Sequence, residues 1–144
     1  MWPDKQSVLV PIDFSEASFD ALTEALTMVA DPSHVHVLHV LPDLTSEADF
    51  IRERAVLADR EPLARQAIER RLAADQRGVD VIVRTGVAGP VIASTASELG
   101  CDLIVMPSHG RWGASRLFLG SVAERVLRLA ECPVLILKIS EGRA

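Results

Sequence analysis

The sequence predicts an α/β fold, in which a mainly parallel sheet is covered on both faces by helices. Short, nearly continuous apolar runs alternate along the chain with segments of helical periodicity, the pattern of strand–helix–strand units. The composition is 49% hydrophobic but only 4% aromatic, so the core must consist largely of Val, Leu, Ile and Ala. At 144 residues the chain fits one domain, 1–144, that is large enough to bury a substantial core.

Composition also narrows the classes of function. The formal net charge is −5 and no basic run is present, which disfavours binding to nucleic acid or to an anionic membrane. Cys101 and Cys132 show no metal-binding or redox spacing and suit a reducing compartment. The first residues do not resemble a signal peptide, and no apolar run approaches the roughly 20 residues of a membrane span. We therefore expect a soluble, cytoplasmic protein.

Five apolar runs are predicted strands. The first and fourth are almost wholly apolar, as expected of central strands buried on both faces, whereas the third suits an edge. The five runs are Ser7–Ile12, His34–Leu41, Val79–Arg84, Cys101–Met106 and Cys132–Lys138.

Four segments between the strands are predicted to be helical. Ser15 is a candidate N-cap for the first, and Pro90 and Gly100 suit the start and end of the third. The long second segment, Ser46–Arg77, has a loose apolar stripe that Pro62 should kink or split. Its arginines alternate with acidic residues, which indicates a solvated face rather than a binding patch.

His34 and His36 of the second strand point to the same side, as two metal ligands would. No cysteine or carboxylate lies near them in the sequence, so polar residues at a strand end are the favoured interpretation.

The segment Met106–Ser121 combines the end of an apolar strand, a glycine-bearing loop and the start of the last helix. The first N–H groups of a helix lack partners and carry partial positive charge, so they suit an anion such as phosphate. Ser121 and Glu124 match a capping box that would begin this helix. A glycine-rich connection without any ligand explains the loop equally well.

The placement of the strands favours the phosphate interpretation. Ligands of open parallel sheets bind beyond the carboxyl ends of the strands, where the strand order reverses. If the first and fourth strands are neighbours, Pro11-Ile12-Asp13 and Met106-Pro107-Ser108 face each other across one crevice.

The same residues resemble the universal stress protein family. The family signature, Gly-x2-Gly-x9-Gly followed by Ser or Thr, is matched from Pro107 to Ser121, with Pro107 in place of the first glycine. The stretches VLVPIDFSEAS, LHVLPD, CDLIVMPSHGR and LFLGSVAERVLRLAECPVLILK extend the likeness over nearly the whole chain. The resemblance implies a Rossmann-like, doubly wound five-stranded parallel sheet in the order 3-2-1-4-5.

The resemblance to the nucleotide-binding branch of the family also implies an ATP site. In that arrangement Asp13 meets the ribose and the backbone of Val40 flanks the adenine. Residues at the ends of the first and fourth strands line the pocket. Phosphates are held by glycines, by a hydroxyl and by the amides at the start of the last helix. The lining residues are Pro11, Ile12 and Met106, and the phosphate-binding residues are Gly110, Gly120, Ser121, Val122 and Ala123.

Several of these residues have competing explanations. Asp13 also suits a purely structural role at the helix entry, and Ser121 a role as a cap alone. Pro107 has no N–H, so a ligand that used this amide would lose a hydrogen bond worth about 1.5–3 kcal/mol. His109 and Arg111 are candidates for contacts with phosphate, with solvent-facing loop residues as the alternative.

The resemblance implies a homodimer through the last strand, Val134–Leu137, whose apolar edge would otherwise need to be covered by the polar tail. The first hypothesis is a cytoplasmic stress-response homodimer that binds ATP as a signal, with Mg²⁺ or Mn²⁺ left open. The second is a dimeric stress protein that binds no nucleotide and acts through protein–protein interaction. A dedicated enzyme is disfavoured, since no GK[ST] P-loop, GxSxG or HExxH motif is present.

Overall fold

The computed structural model describes residues 4–43, 57–109 and 119–138, in which helices and strands alternate as predicted. Every strand begins one or two residues later than predicted, and the third and fourth strands end one residue beyond the predicted end. In chain order the elements are β1 (Val8–Pro11), α1 (Glu16–Leu26), β2 (Val35–Leu41), α2 (Leu57–Arg71), β3 (Asp80–Thr85), α3 (Ala88–Glu98), β4 (Leu103–Pro107), α4 (Ser121–Leu129) and β5 (Val134–Leu137).

The five strands form one parallel sheet in the order β3-β2-β1-β4-β5, which confirms the predicted fold and places β3 at an edge. β1 pairs with β2 as far as Pro11↔Leu38, and β4 pairs with β5 as far as Pro107↔Leu137. The register between β1 and β4 contains only Val8↔Leu103 and Leu9↔Ile104. The hydrogen-bonded pairing of the two central strands therefore stops before either strand ends, because Pro11 and Pro107 lack the N–H groups that would continue it.

Alternating side chains of the sheet build two cores. Odd-numbered residues of β1, such as Leu9, lie in one core with α3 and α4, where Ile92 and Val126 are buried. Even-numbered residues, such as Val8, lie in the other core with α1 and α2. Both faces of the sheet are thus covered, and this explains why β1 and β4 read as continuous apolar runs.

Local sequence signals fix several helix ends. Ser15 is the N-cap of α1, as predicted, and its Oγ accepts a hydrogen bond from the Ser18 amide at 3.1 Å. Gly100 follows α3 with a positive φ of 63°, and its N–H donates to the Ser97 carbonyl while that of Cys101 donates to the Ala96 carbonyl. This is a Schellman ending, in which glycine avoids the steric cost of the left-handed conformation.

Two predictions about helix boundaries are wrong. Pro62 does not split its helix, because α2 runs continuously through it. The N-cap of α4 is Gly120 rather than Ser121, and no side chain caps this end. With Gly120 as the N-cap, the third residue of the helix is Ala123, so no capping box forms, and the Glu124 carboxylate accepts a hydrogen bond from Arg128, one turn later, at 2.5 Å.

Residues 44–56, which include the first part of the predicted long helical segment, lie outside the described residues. Among the helices that are described, none has the length and apolar character needed to cross a membrane.

Candidate site at the carboxyl edge of the sheet

The candidate site lies at the carboxyl ends of β1 and β4. β1 has β2 on one side and β4 on the other, so the order of the strands along the chain reverses between β1 and β4. The hydrogen-bonded register between them ends at Leu9↔Ile104, and the last residues of both strands border the predicted crevice. This is the topological switch point at which doubly wound sheets bind ligands.

The turn after β1 forms one wall of the crevice. Ile12 is buried and its N–H donates to the Leu38 carbonyl of β2 at 2.8 Å, which holds the turn to the sheet. Asp13 follows, half-buried, and its Oδ1 accepts hydrogen bonds from both the amide and the hydroxyl of Ser15, at 3.0 and 2.5 Å. The carboxylate is therefore fixed in position beside the N-terminus of α1, where negative charge is favoured.

The end of β4 forms the opposite wall. Met106 and Pro107 are buried at the end of the strand. The Ser108 N–H donates to Leu137 of β5 at 2.8 Å. Successive N–H groups of a strand point to opposite sides, so the nitrogen of Pro107 faces β1 and the crevice. Since β1 and β4 are no longer paired there, proline is accommodated without loss of a sheet hydrogen bond.

The start of α4 lies next to this wall. The Gly120 N–H donates to the Ser108 carbonyl at 2.7 Å, which brings the helix N-terminus to the end of β4. This amide already has a partner within the protein. The following amides, those of Ser121, Val122 and Ala123, belong to the first turn of the helix, where N–H groups have no intrahelical partner.

His109 is buried, with 5% of its surface exposed, so the alternative of a solvent-facing loop residue is wrong. Its Nδ1 forms a hydrogen bond with the Ser108 hydroxyl at 3.1 Å. Its Nε2 is buried and has no hydrogen-bond partner among residues 4–43, 57–109 and 119–138. An imidazole nitrogen in that situation can donate or accept, according to its tautomer.

The other predicted site residues fall at the same edge of the sheet or outside the described residues. Pro11 is the last residue of β1, and Val40 lies in β2 two residues beyond the partner of Pro11. Gly110 and Arg111 lie outside the described residues. The structure thus brings the β1 turn, the end of β4 and the start of α4 to one edge.

Two residues in contact with the β1 turn were missed from the sequence. His39 donates from Nδ1 to the Ile12 carbonyl at 2.7 Å, since a carbonyl oxygen only accepts. Arg71 donates to the Phe14 carbonyl at 2.7 Å, which corrects the interpretation of its helix face as merely solvated. His39 gave a weak signal, because a polar residue on the same strand face as Val35 and Val37 needs a buried partner.

The remaining polar groups lie away from the crevice. Nδ1 of His36 contacts Oδ2 of Asp80 on the neighbouring strand at 2.7 Å. No group of three or more His, Cys, Asp or Glu suitable for a metal ion occurs within the described parts of the chain. Burial raises the pKa of the Cys101 and Cys132 thiols above the usual value, although a hydrogen bond from Ser7 opposes the rise at Cys101.

The architecture defines the class of protein: a doubly wound α/β protein whose strand order reverses between the two central strands. Comparison with known proteins identifies the family within that class. The family model for "Universal stress protein family" matches residues 5–138, which is nearly the whole chain. The chain belongs to the universal stress protein family.

Individual relatives agree with this assignment. Universal stress protein MJ0531 of Methanocaldococcus jannaschii is 30% identical over 141 residues, which cover 92% of this chain and 82% of that protein. The solved structure of MJ0577 from the same organism is 29% identical, with a TM-score of 0.75 over 94% of this chain and 97% of that one. A universal stress protein solved in complex with cAMP is 22% identical, with a TM-score of 0.60 over 94% and 99% of the chains, a likeness that concerns the fold.

Proposed function

We propose that this protein binds ATP in the crevice between β1 and β4 and acts as a nucleotide-dependent stress-response homodimer. The observation that carries the proposal is the end of the hydrogen-bonded pairing between β1 and β4 at the switch point, with a fixed carboxylate on one side and a helix N-terminus on the other. These are the complementary groups that a nucleoside phosphate requires, because ribose hydroxyls donate and phosphate oxygens accept hydrogen bonds.

The nucleoside end would lie on the β1 side. The Asp13 carboxylate, oriented by Ser15, would accept hydrogen bonds from the ribose hydroxyls. The backbone of Val40 would flank the adenine, with Ile12 and Met106 as the apolar lining. Ionised acceptors give the stronger class of hydrogen bond, so Asp13 would contribute a large share of the affinity.

The phosphate end would lie at the start of α4. The amides of Ser121, Val122 and Ala123 would donate to phosphate oxygens, helped by the positive end of the helix. Gly120 would contribute uncrowded backbone rather than its amide, since that N–H is bound to Ser108. Gly110, Arg111 and the Nε2 of buried His109 are proposed to complete this end of the site.

Two observations favour the second candidate, a dimeric family member that binds no nucleotide. Pro107 presents no donor on the side facing the crevice, and the Gly120 amide is already engaged. A protein with this site would act through protein partners alone. ATP remains the preferred proposal because the Asp13 turn is retained and the first amides of α4 have no partner within the helix.

The homodimer is proposed to form through β5. This strand is a sheet edge, and all four of its side chains are only partly buried in the single chain. Since carbonyls 133 and 137 accept from β4, the N–H groups of Val134 and Ile136 face outward along the open edge. An open apolar edge of this kind is a template for pairing with a second strand.

The experiment that tests nucleotide binding compares two aspartates. Purified protein is denatured to release and identify any bound nucleotide, and stripped protein is then titrated calorimetrically with Mg-ATP, with cAMP as a competitor. We expect saturable binding that Asp13→Asn weakens about tenfold, because an ionised acceptor is replaced by a neutral one.

Asp31→Asn is the matched control. Asp31 accepts from the Ser33 amide at 2.8 Å in the same type of turn, but it precedes β2 at the opposite edge of the sheet. It should leave ATP affinity unchanged. Absence of both bound nucleotide and saturable binding in the wild-type protein would reject the proposal in favour of the second candidate.

The dimer is tested by sedimentation of the wild-type protein and of Ile136→Pro. Proline removes an outward N–H without breaking the ladder to β4, so the variant should become monomeric while keeping its circular dichroism spectrum. A wild-type monomer at micromolar concentration would contradict the dimer without affecting the proposal for ATP.

A further inference from the structure

The turn that carries Asp13 has an unusual backbone. Phe14 adopts a positive φ of 66°, and no other non-glycine residue in the described parts of the chain does so. A bulky residue in this conformation is strained, and such strain persists only where surrounding contacts impose it. Strained residues cluster at ligand sites, so the contacts that impose the conformation of Phe14 are of functional interest.

The first of these contacts comes from β2. The His39 Nδ1–H donates to the Ile12 carbonyl at 2.7 Å, and this carbonyl belongs to the peptide group that leads into Asp13. The imidazole also meets the Phe14 ring edge-on, with centroids 4.8 Å apart and an interplanar angle of 65°. His39 therefore holds both the backbone before Asp13 and the side chain after it.

The second contact comes from the last turn of α2. Arg71 donates to the Phe14 carbonyl at 2.7 Å, and its guanidinium lies 4.0 Å from the centroid of the Phe19 ring. The stacking holds the guanidinium in place and favours its hydrogen bond. The peptide group before Asp13 and the peptide group after Phe14 are thus held by side chains from other elements.

We propose that His39 is a positioning residue for the nucleotide site, assisted by Arg71. By fixing the peptide group before Asp13 and the ring of Phe14 after it, His39 directs the carboxylate at the ribose without contacting the ligand itself. Pre-organisation of this kind raises affinity, because the turn does not have to be ordered when the ligand binds. The inference rests on the proposed function, since it concerns how Asp13 meets a ribose.

The test measures affinities for ATP and for 2′,3′-dideoxy-ATP, which lacks the ribose hydroxyls. His39→Leu removes the donor and should weaken ATP binding about tenfold, because the Asp13 carboxylate is no longer held in position to bond the ribose. Binding of dideoxy-ATP should stay nearly unchanged. His39→Asn keeps an N–H donor at the same distance along the side chain and should restore most of the preference for ATP. Combining His39→Leu with Asp13→Ala should cost no more than Asp13→Ala alone, because both act through one carboxylate.

A second histidine of β2, His36, provides the matched control. His36→Leu, on the same strand but paired with Asp80, should not change the preference for ATP. If His39→Leu weakens ATP and dideoxy-ATP equally, or changes neither, the positioning role is wrong while nucleotide binding stands. If the wild-type protein binds neither nucleotide, the proposed function fails, and the inference fails with it.

Discussion

The substitution Ser15→Ala tests a double role of one hydroxyl group, which caps α1 and also donates a hydrogen bond to the Asp13 carboxylate. Ser15 Oγ accepts from the Ser18 amide at 3.1 Å and donates to Asp13 Oδ1 at 2.5 Å. Loss of a serine cap costs about 1 kcal/mol, and the hydrogen bond to a half-exposed carboxylate adds about 1 kcal/mol. Since Ser18 is buried, with 1% exposed, water cannot replace the lost acceptor.

The expected loss in the free energy of unfolding is therefore about 2 kcal/mol, or roughly 4–8 °C in Tm for a chain of this length. Urea unfolding monitored by circular dichroism measures it, provided the slope m is unchanged. Ser94→Ala is the control, since Ser94 is exposed within α3 and its hydroxyl only bonds back to Val91; its effect should stay within about 0.5 kcal/mol. Equal effects of the two substitutions would refute the double role assigned to Ser15.

Three further predictions concern other parts of the fold. Gly100→Ala should lower the free energy of unfolding by about 1 kcal/mol or more, because φ is 63° and open space around the glycine leaves conformational strain as the cause; an unchanged urea midpoint would contradict this. Gly89→Ala should destabilise despite better helix propensity, because its Cβ would lie 2.8 Å from Cβ of Arg125 and force α3 and α4 apart; increased thermal stability would be the contrary result. Cys101 and Cys132 should react far more slowly with iodoacetamide at pH 8 in the native protein than in urea, because burial raises the pKa of both thiols. A thiol pKa that is raised on folding stabilises the protein below the ordinary value of 9.0, and this stabilisation is lost as the pH rises through the raised pKa. The urea midpoint should therefore fall above pH 9. A urea midpoint that stays constant up to pH 10 would contradict the raised pKa.

Most of the sheet was predictable from the sequence, because a strand that is buried on both faces is apolar at every position. β1 and β4 are apolar at every position since both faces are covered by helices, and the terminal position of β3 follows from its polar residues. The strand order depended on the resemblance to a family. Alternating elements establish a parallel sheet but do not choose among its possible orders.

The local details that escaped prediction depend on contacts between distant segments. The conformation of Phe14 goes against the preference of its residue type and is imposed by His39 and Arg71 from two other elements. The N-cap of α4 lies one residue before the predicted one, at Gly120, whose N–H donates to the carbonyl of Ser108 at the end of β4. A sequence motif indicates which hydrogen bonds are possible, and the tertiary structure determines which of them form.

Contacts between distant segments also explain which features of the segment after β4 could be predicted. The strand–loop–helix order was visible, because it follows from apolar periodicity and glycines. The burial of His109 and the bond between Gly120 and Ser108 were not, since both arise only when α4 returns to the end of the strand. From the sequence, a contact with phosphate and a solvent-facing position were both open for this histidine.

The central place of β1 has a consequence for synthesis on the ribosome. β1 is made long before its neighbour β4, since the Ser7 amide next to it is paired with Asp102, 95 residues later. At about 5–20 residues per second, β1 waits roughly 5–20 s for that partner. During that interval a strand with no polar side chain presents an unpaired edge. A chain interrupted before Leu103 would keep that edge permanently, so truncated products should aggregate and depend on chaperones far more than the full-length protein.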